Sequence, residues 1–316
     1  MTKRFAFYLS PKVPYDFELT VRKPAGWPLF TPFEIYKGGI LWTALHIANL
    51  LTGLKLRSVG STEQPSILID VFLKDIPKST QKNVIKNLLA TKLAADEDLT
   101  EFYSMARKDP ILKHTLGDLY GMHDTGFAHL FAMATFAISL QMAPLKRSEE
   151  MMNCLIKNYG ELAEFDGKRV CVWPLAERLA ELSPNELSRL CKLGYRAKYL
   201  VQLARVLGSG GFPTLEELKQ FSPEEAKRKL LELPGIGDYS ADILNPHGGF
   251  PIDAWSVDVF GKLFYGEQLR EGRAAIDKIK AEGIRRWGKW SWMAFLYVAH
   301  DLKQLSEKLG TSLRLY

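Results

Sequence analysis

Leu233-Pro234-Gly235-Ile236-Gly237-Asp238-Tyr239-Ser240-Ala241 constrains this chain more than any other stretch. Two glycines flanking one apolar residue allow a tight hairpin between helices, because glycine accepts positive φ and leaves no Cβ between the backbone and a ligand. Ahead of it, Ser222-Pro223-Glu224-Glu225 supplies an N-cap serine, a proline at the first helical position and early acidic residues. Ala226, Leu230 and Leu233 then recur at helical spacing. Behind the glycines, Asp238 to Leu244 reads as a second helix that stops at the Asn245-Pro246 step. Free N–H groups and partial positive charge at the start of that second helix favour an anion, and a phosphate is the anion such a hairpin suits. The plainer reading is a helix-helix turn that binds nothing.

Pro251-Ile252-Asp253-Ala254-Trp255 follows, with Asp253 sixteen positions after Gly237. Asp253 opens another helical pattern through Val257, Phe260, Leu263 and Phe264. It is therefore either an N-cap for that helix or a carboxylate set beside the gripped backbone. A phosphate grip joined to a downstream carboxylate points to an enzyme acting on DNA.

These residues resemble the helix-hairpin-helix (HhH-GPD) superfamily of DNA glycosylases, with Leu233 to Ala241 as the hairpin and Asp253 at the catalytic aspartate. Three further segments carry the likeness, which spans residues 105 to 300 and is weaker before them. Ala137-Ile138-Ser139-Leu140-Gln141-Met142 looks like the helix end and glutamine-containing turn that precede the intercalating residue in AlkA-type alkylbase glycosylases. Leu193-Gly194-Tyr195-Arg196-Ala197-Lys198-Tyr199 looks like the segment that AlkA-type and 8-oxoguanine glycosylases share. Arg286 to Ala294 resembles the tryptophan-rich helix start of AlkA-type chains.

The resemblance implies specific roles. Leu233, Pro234, Gly235, Ile236, Gly237, Tyr239 and Ser240 would contact double-stranded DNA containing a damaged base. Asp253 would oppose the positive charge that develops on the sugar as the base departs, and orient or deprotonate the attacking water. Asp258, the nearest rival carboxylate, lies beyond the family position. Gln141 and Met142 are the wedge candidates, Met142 filling the gap left by the extruded nucleotide or else serving as a core methionine. Gln141 would meet the opposite base or cap a turn. Tyr239, Trp255, Phe127, Trp290 and Trp292 are the aromatic candidates for a base pocket, with Trp290 and Trp292 read equally as packing for the terminal helix. Glycosylases that also cleave the strand carry a lysine two positions after the second hairpin glycine, where this chain has Tyr239. A monofunctional enzyme with water as nucleophile is therefore expected, with Lys198 and Lys262 as the lysines that would have to approach the site otherwise. An AlkA-like alkylated purine is the leading substrate, an 8-oxoguanine or deaminated purine the alternative. A non-catalytic DNA-binding scaffold is the alternative of a different class.

No cofactor is expected, apart from a structural monovalent cation at the hairpin that the resemblance allows. Cys154, Cys171 and Cys191 are too few and too widely spaced for a zinc ribbon or an iron–sulfur cluster, and read as free thiols. That separates the chain from the endonuclease III branch. The histidines show no metal-ligand spacing, so no catalytic metal is expected.

The 316 residues, 47% hydrophobic, suffice for a substantial core in one large or two modest domains, and the net charge of +6 suits a polyanion without requiring one. No secretory signal opens the sequence, and residues 38 to 51 are too short and too interrupted to span a membrane, so an intracellular protein is expected, and the resemblance implies a monomer. Strand signals at Phe17 to Arg22, Phe33 to Tyr36, Leu54 to Val59 and Ile67 to Leu73 give the first part an antiparallel sheet. After Asp75-Ile76-Pro77 the pattern turns helical, with segments at Thr80 to Ala95, Asp98 to Asp109 and Gly126 to Leu140. The expected fold is α+β, an N-terminal antiparallel-sheet domain over residues 1–104 followed by a larger all-helical domain over 105–316.

Overall fold

The computed structural model describes residues 3–26, 28–48, 50–75, 78–270 and 272–313. The boundary expected at Ile76 and Pro77 lies outside them. Five strands, β1 (Lys3–Leu9), β2 (Ile35–Lys37), β3 (Ile40–Ile47), β4 (Leu50–Ser58) and β5 (Ile67–Leu73), form an antiparallel sheet in the order β1-β5-β4-β3-β2. Ala44, Gly53 and Phe72 are aligned across three neighbouring strands, so they share a face with Trp42.

That face is covered by a second hairpin, β6 (Glu161–Phe165) and β7 (Lys168–Val172), within a stretch expected to be helical. Asp166 and Gly167 turn it, both at positive φ, as a two-residue hairpin turn requires. Ala163, Phe165, Val170 and Val172 pack with Trp42, Ala44 and Phe72, each fully buried large side chain contributing about 1.5–3 kcal/mol. Position 53 must be glycine: a Cβ there would sit 2.5 Å from the Phe165 ring. Asp166 accepts from Trp42 Nε1 at 2.7 Å and pairs with Lys55 at 2.9 Å, fastening the turn to the sheet.

Phe17–Arg22 is a helix, where alternation suggested a strand. Phe17, Thr20 and Val21 are its buried residues, a spacing of three and four, and Asp16 caps it by accepting from Leu19 N at 2.9 Å. Six residues satisfy either period, and the cap decides between them.

The chain divides into two compact units. The first comprises Met1–Leu99, Leu119–Ala132 and Asn153–Leu175; the second comprises Thr100–Asp118, Met133–Met152 and Ala176–Tyr316. The single boundary expected at 104/105 lies near the first crossing but misses both returns, because Leu119–Ala132 and the β6–β7 segment pack with the sheet unit. The expected helices appear at Ser79–Lys92, Thr100–Ala106 and Leu130–Leu140. Cys171 is a free thiol whereas Cys154 and Cys191 are not, which corrects the expectation of three free thiols. Among the described residues no helix is long and apolar enough to cross a membrane.

The first unit contains a titratable group with a measurable consequence. His129 Nδ1 accepts from Ala132 N at 3.1 Å, capping the helix Leu130–Leu140, while Nε2 is out of reach of solvent and without a hydrogen bond. Burial, reinforced by His46 and Lys92, pushes its imidazole down to about 3. The unfolded chain binds this proton below about 6.5 and the folded chain only near 3, so the stability it contributes is intact above 6.5 and is lost as pH falls towards 3. Each pH unit in that window costs up to about 1.4 kcal/mol. His129→Asn, which keeps a capping oxygen and cannot be protonated, is expected to flatten the decline of chemical-denaturation midpoint between pH 6.5 and 4. An unchanged slope would exclude His129 as its source.

The second unit is helical among its described elements. Its aromatic core joins Phe250 to Phe260 (ring centroids 5.1 Å apart) and Trp287 (5.6 Å), with Phe264 and Phe295 around them. Phe250 directly precedes Pro251-Ile252-Asp253, so the core anchors the segment carrying the aspartate.

Candidate active site

The hairpin is built as its capping residues dictate. Ser222 and Glu225 form a reciprocal capping box, Glu225 N donating to Ser222 Oγ at 3.3 Å and Ser222 N to Glu225 Oε2 at 3.1 Å. Pro223 starts the first helix, Pro223–Leu230, and the second runs Asp238–Leu244. Gly235 has φ +78°, and a Cβ there would lie 2.7 Å from Tyr199 Cβ. Gly237 differs: its φ is −100°, its surroundings are open, and it caps the second helix without a side chain. Leu233 and Ile236 are buried beneath the turn. Asn245 closes the second helix, its Nδ2 donating to Pro223 O at 3.1 Å.

Four charges lock the two hairpin helices to each other and to a third, Arg273–Trp287, which carries Lys280. Lys227 pairs with Asp238 at 2.8 Å and Asp242 at 2.6 Å, and Lys280 pairs with Asp242 at 2.5 Å and with Asp238. Partial burial works against the charged carboxylate of Asp238, but hydrogen bonds from Lys227 and Lys280 outweigh it and hold the group at about 2. The cluster is neutral as a whole, so the acidic residue at the start of the second helix does not set up a field opposing an anion there.

Asp253 caps the helix Ala254–Tyr265. Its Oδ1 accepts from Ser256 N at 2.9 Å and Ser256 Oγ at 2.7 Å, and Asp253 N donates back to Ser256 Oγ at 2.7 Å. Among the described residues Oδ2 accepts no hydrogen bond. The carboxylate thus caps its helix through Oδ1, the plainer of the two readings, and leaves Oδ2 available. Burial first and the Asp253 charge second raise the Tyr239 phenol above its ordinary range.

The turn after Leu130–Leu140 reaches the same hairpin. Gln141 Nε2 donates to Gly235 O at 2.7 Å and Ser240 Oγ at 3.2 Å. Those two bonds hold the half-buried side chain against the hairpin. Met142, by contrast, is 95% exposed and has φ +47°. It is not the core methionine of the plainer reading, and a left-handed non-glycine residue costs roughly 1–2 kcal/mol unless its surroundings fix it.

The aromatic candidates separate. Trp255 is half-buried in the first turn after Asp253. Trp292 stacks on Phe295 with centroids 6.0 Å apart and lies against Gly248, where a Cβ would come 2.8 Å from its own Cβ. Trp290 packs on Phe102 at 5.7 Å, so it serves the core. Phe127 belongs to the other unit, where its carbonyl accepts from Lys92 Nζ at 2.5 Å. Lys262 donates to Asp258 Oδ2 at 2.8 Å and to Ser312 O at 3.1 Å, and Lys198 is exposed. Ser256, Lys227, Lys280, Asp242 and Arg196 are residues that the sequence did not single out. Of these only Ser256 carries a local signal, three positions after an N-cap aspartate.

Among curated proteins, the DNA-3-methyladenine glycosylase of Bacillus subtilis (strain 168) is 30% identical over 206 residues, which cover 64% of this chain and 67% of that protein. The chain belongs to the helix-hairpin-helix DNA glycosylases. It is a hydrolase of N-glycosyl bonds. The glycosylase is also 23% identical over 249 residues to a probable N-glycosylase/DNA lyase of Methanothermobacter thermautotrophicus, covering 73% of this chain and 77% of that one. Its fold is that of the Archaeoglobus fulgidus 3-methyladenine DNA glycosylase, with TM-score 0.74, 18% identity, and coverage of 97% and 100%. The Clostridium acetobutylicum 8-oxoguanine glycosylase/lyase in complex with double-stranded DNA gives 0.72, 17% identity, and 98% of each chain. No family model matches the sequence.

Proposed function

We infer that this glycosylase is monofunctional and removes alkylated purines from double-stranded DNA, with Asp253 as the catalytic carboxylate and water as the nucleophile. The observation that carries this reading is Tyr239, which stands two positions after the second hairpin glycine, where strand-cleaving glycosylases of the motif have lysine. The two lysines that would have to replace it are otherwise placed, Lys262 tied to Asp258 and Ser312 and Lys198 exposed.

The damaged nucleotide has to leave the stack before its glycosidic bond can be reached, at a cost of a few kcal/mol. Amides around Gly235 and Gly237 hold a backbone phosphate of the damaged strand, and Met142 enters the gap. As the base departs, positive charge grows at C1′ and the free Oδ2 of Asp253 faces it, while Ser256 steadies Oδ1. Water, oriented by the same carboxylate, completes the hydrolysis. The exposed left-handed Met142 supports its role as wedge, because an apolar side chain offered fully to solvent has nothing else to cover. Trp255 and Tyr239 stand as pocket walls near Asp253, where an electron-rich ring would attract a cationic alkylated base. The protein works as an intracellular monomer, with a monovalent cation at the hairpin as its one inorganic companion.

A second reading, base excision coupled to strand cleavage, is favoured by the name of the Methanothermobacter relative, a probable N-glycosylase/DNA lyase. Borohydride trapping on lesion duplexes separates the two. A monofunctional enzyme releases base, leaves an alkali-labile abasic site and gives no covalent adduct. An efficient adduct on an 8-oxoguanine duplex, with no release of alkylated purine, would overturn the proposal.

A further inference from the structure

We propose that Arg196 is a positioning residue for Met142, bracing the turn that carries the methionine against the start of the helix Arg196–Gly208 while the Gln141 side chain ties the same turn to the hairpin, so that wedge and phosphate grip move as one body. The proposal rests on the reading of Met142 as the residue that fills the gap of an extruded nucleotide.

Arg196 is 4% exposed. Its Nη2 donates to the carbonyl of Gln141, Nη1 donates to Leu193 O at 3.3 Å, and its guanidinium lies 4.7 Å from the centre of the Tyr195 ring. Its Nε is out of reach of solvent and unbonded, and among the described residues no carboxylate pairs with it. A guanidinium taken from water without a counter-ion is a costly filling, and an apolar side chain would occupy the same space more cheaply. What the cation supplies is a rigid fork that joins two segments 55 residues apart.

Its partner carbonyl belongs to Gln141, the residue immediately before Met142. Gln141 is held a second time through its side chain, which reaches Gly235 O and Ser240 Oγ. Backbone and side chain of one residue are thus fixed from two directions, and the next residue takes a left-handed conformation with its side chain in solvent. Such a conformation persists where the surroundings over-determine it. Pushing an apolar side chain into a base stack loads this turn, and a load on Met142 passes through Gln141 to the hairpin that holds the phosphate.

The test compares a lesion paired and stacked in a duplex with the same lesion opposite an abasic site, where extrusion is cheap. Arg196→Met is expected to slow single-turnover excision from the paired substrate roughly tenfold or more, to change the unpaired substrate less than about threefold, and to leave KM for duplex within about twofold. Arg196→Lys, which still donates to the Gln141 carbonyl, recovers part of the loss. In a Met142→Ala background Arg196→Met adds nothing, since the arginine acts through the methionine. Equal losses on both substrates, or additive effects in the double variant, overturn the proposal. Should Arg196→Met fail to fold by circular dichroism, Gln141→Leu carries the same expectation, because it cuts the tie to the hairpin and spares the arginine. Fluorescence of 2-aminopurine beside the lesion reads extrusion without chemistry. A wild-type protein that extrudes the nucleotide yet releases no base therefore contradicts the proposed activity and leaves the brace measurable by the same variants.

Discussion

Asp253→Asn is expected to lower single-turnover base release by roughly 10²–10³-fold, the loss that follows removal of one preorganised electrostatic partner of a transition state. Asparagine is as good an N-cap as aspartate, so its side-chain oxygen keeps the bonds from Ser256 N and Ser256 Oγ and the helix Ala254–Tyr265 is undisturbed. What the substitution removes is the charge, and with it the oxygen that accepts no hydrogen bond among the described residues. Melting temperature should move by no more than a degree or two, and affinity for a duplex with an abasic-site analogue should be retained or slightly raised, since a carboxylate no longer faces the backbone. Asp253→Asn retaining more than a tenth of the wild-type rate would sink the assignment of Asp253.

Much of this site was legible because its signals are local. The capping box at Ser222 and Glu225, the glycine pair and the Asn245-Pro246 stop each act within a few residues, and the hairpin folds as they specify. Asp253 was legible as a cap for the same reason, and its second role came from family likeness. The hairpin at 161–172 carries a local signal too, Asp166-Gly167, but in a chain that is helical on either side a two-residue turn is outweighed by its context. Phe17–Arg22 shows the opposite failure, six residues whose apolar positions fit both periods until Asp16 is seen to cap them. Arg196, Lys227 and Lys280 were not legible at all. A buried guanidinium and a paired ammonium look like surface charges in a sequence, and what distinguishes them is a partner tens of residues away. The two units show the same limit, since the crossings at 119–132 and 153–175 are set by long-range packing against the sheet.

The two hairpin glycines are expected to respond differently to the same added methyl group. At Gly235 an alanine meets two obstacles at once, a φ of +78° and a Cβ 2.7 Å from Tyr199, whose own backbone is fixed in the helix Arg196–Gly208. Overpacking of this kind typically costs 1–3 kcal/mol, and the left-handed conformation adds roughly 1–2 more. Gly235→Ala should therefore lower the melting temperature by several degrees. Because the strain displaces the turn proposed to grip the phosphate, it should weaken duplex binding and slow excision together. Gly237→Ala adds its methyl at an ordinary extended φ with nothing within 4 Å, so the fold should not register it. If the amides after Gly237 receive a phosphate, however, that methyl stands where the backbone of the DNA approaches. Affinity should fall at least about tenfold with the melting temperature unchanged, since a well-placed backbone contact to a charged group is worth about 1.5–3 kcal/mol. Differential scanning calorimetry paired with duplex titration at fixed salt reads both variants. Unaltered duplex affinity in Gly237→Ala would move the phosphate contact away from this turn.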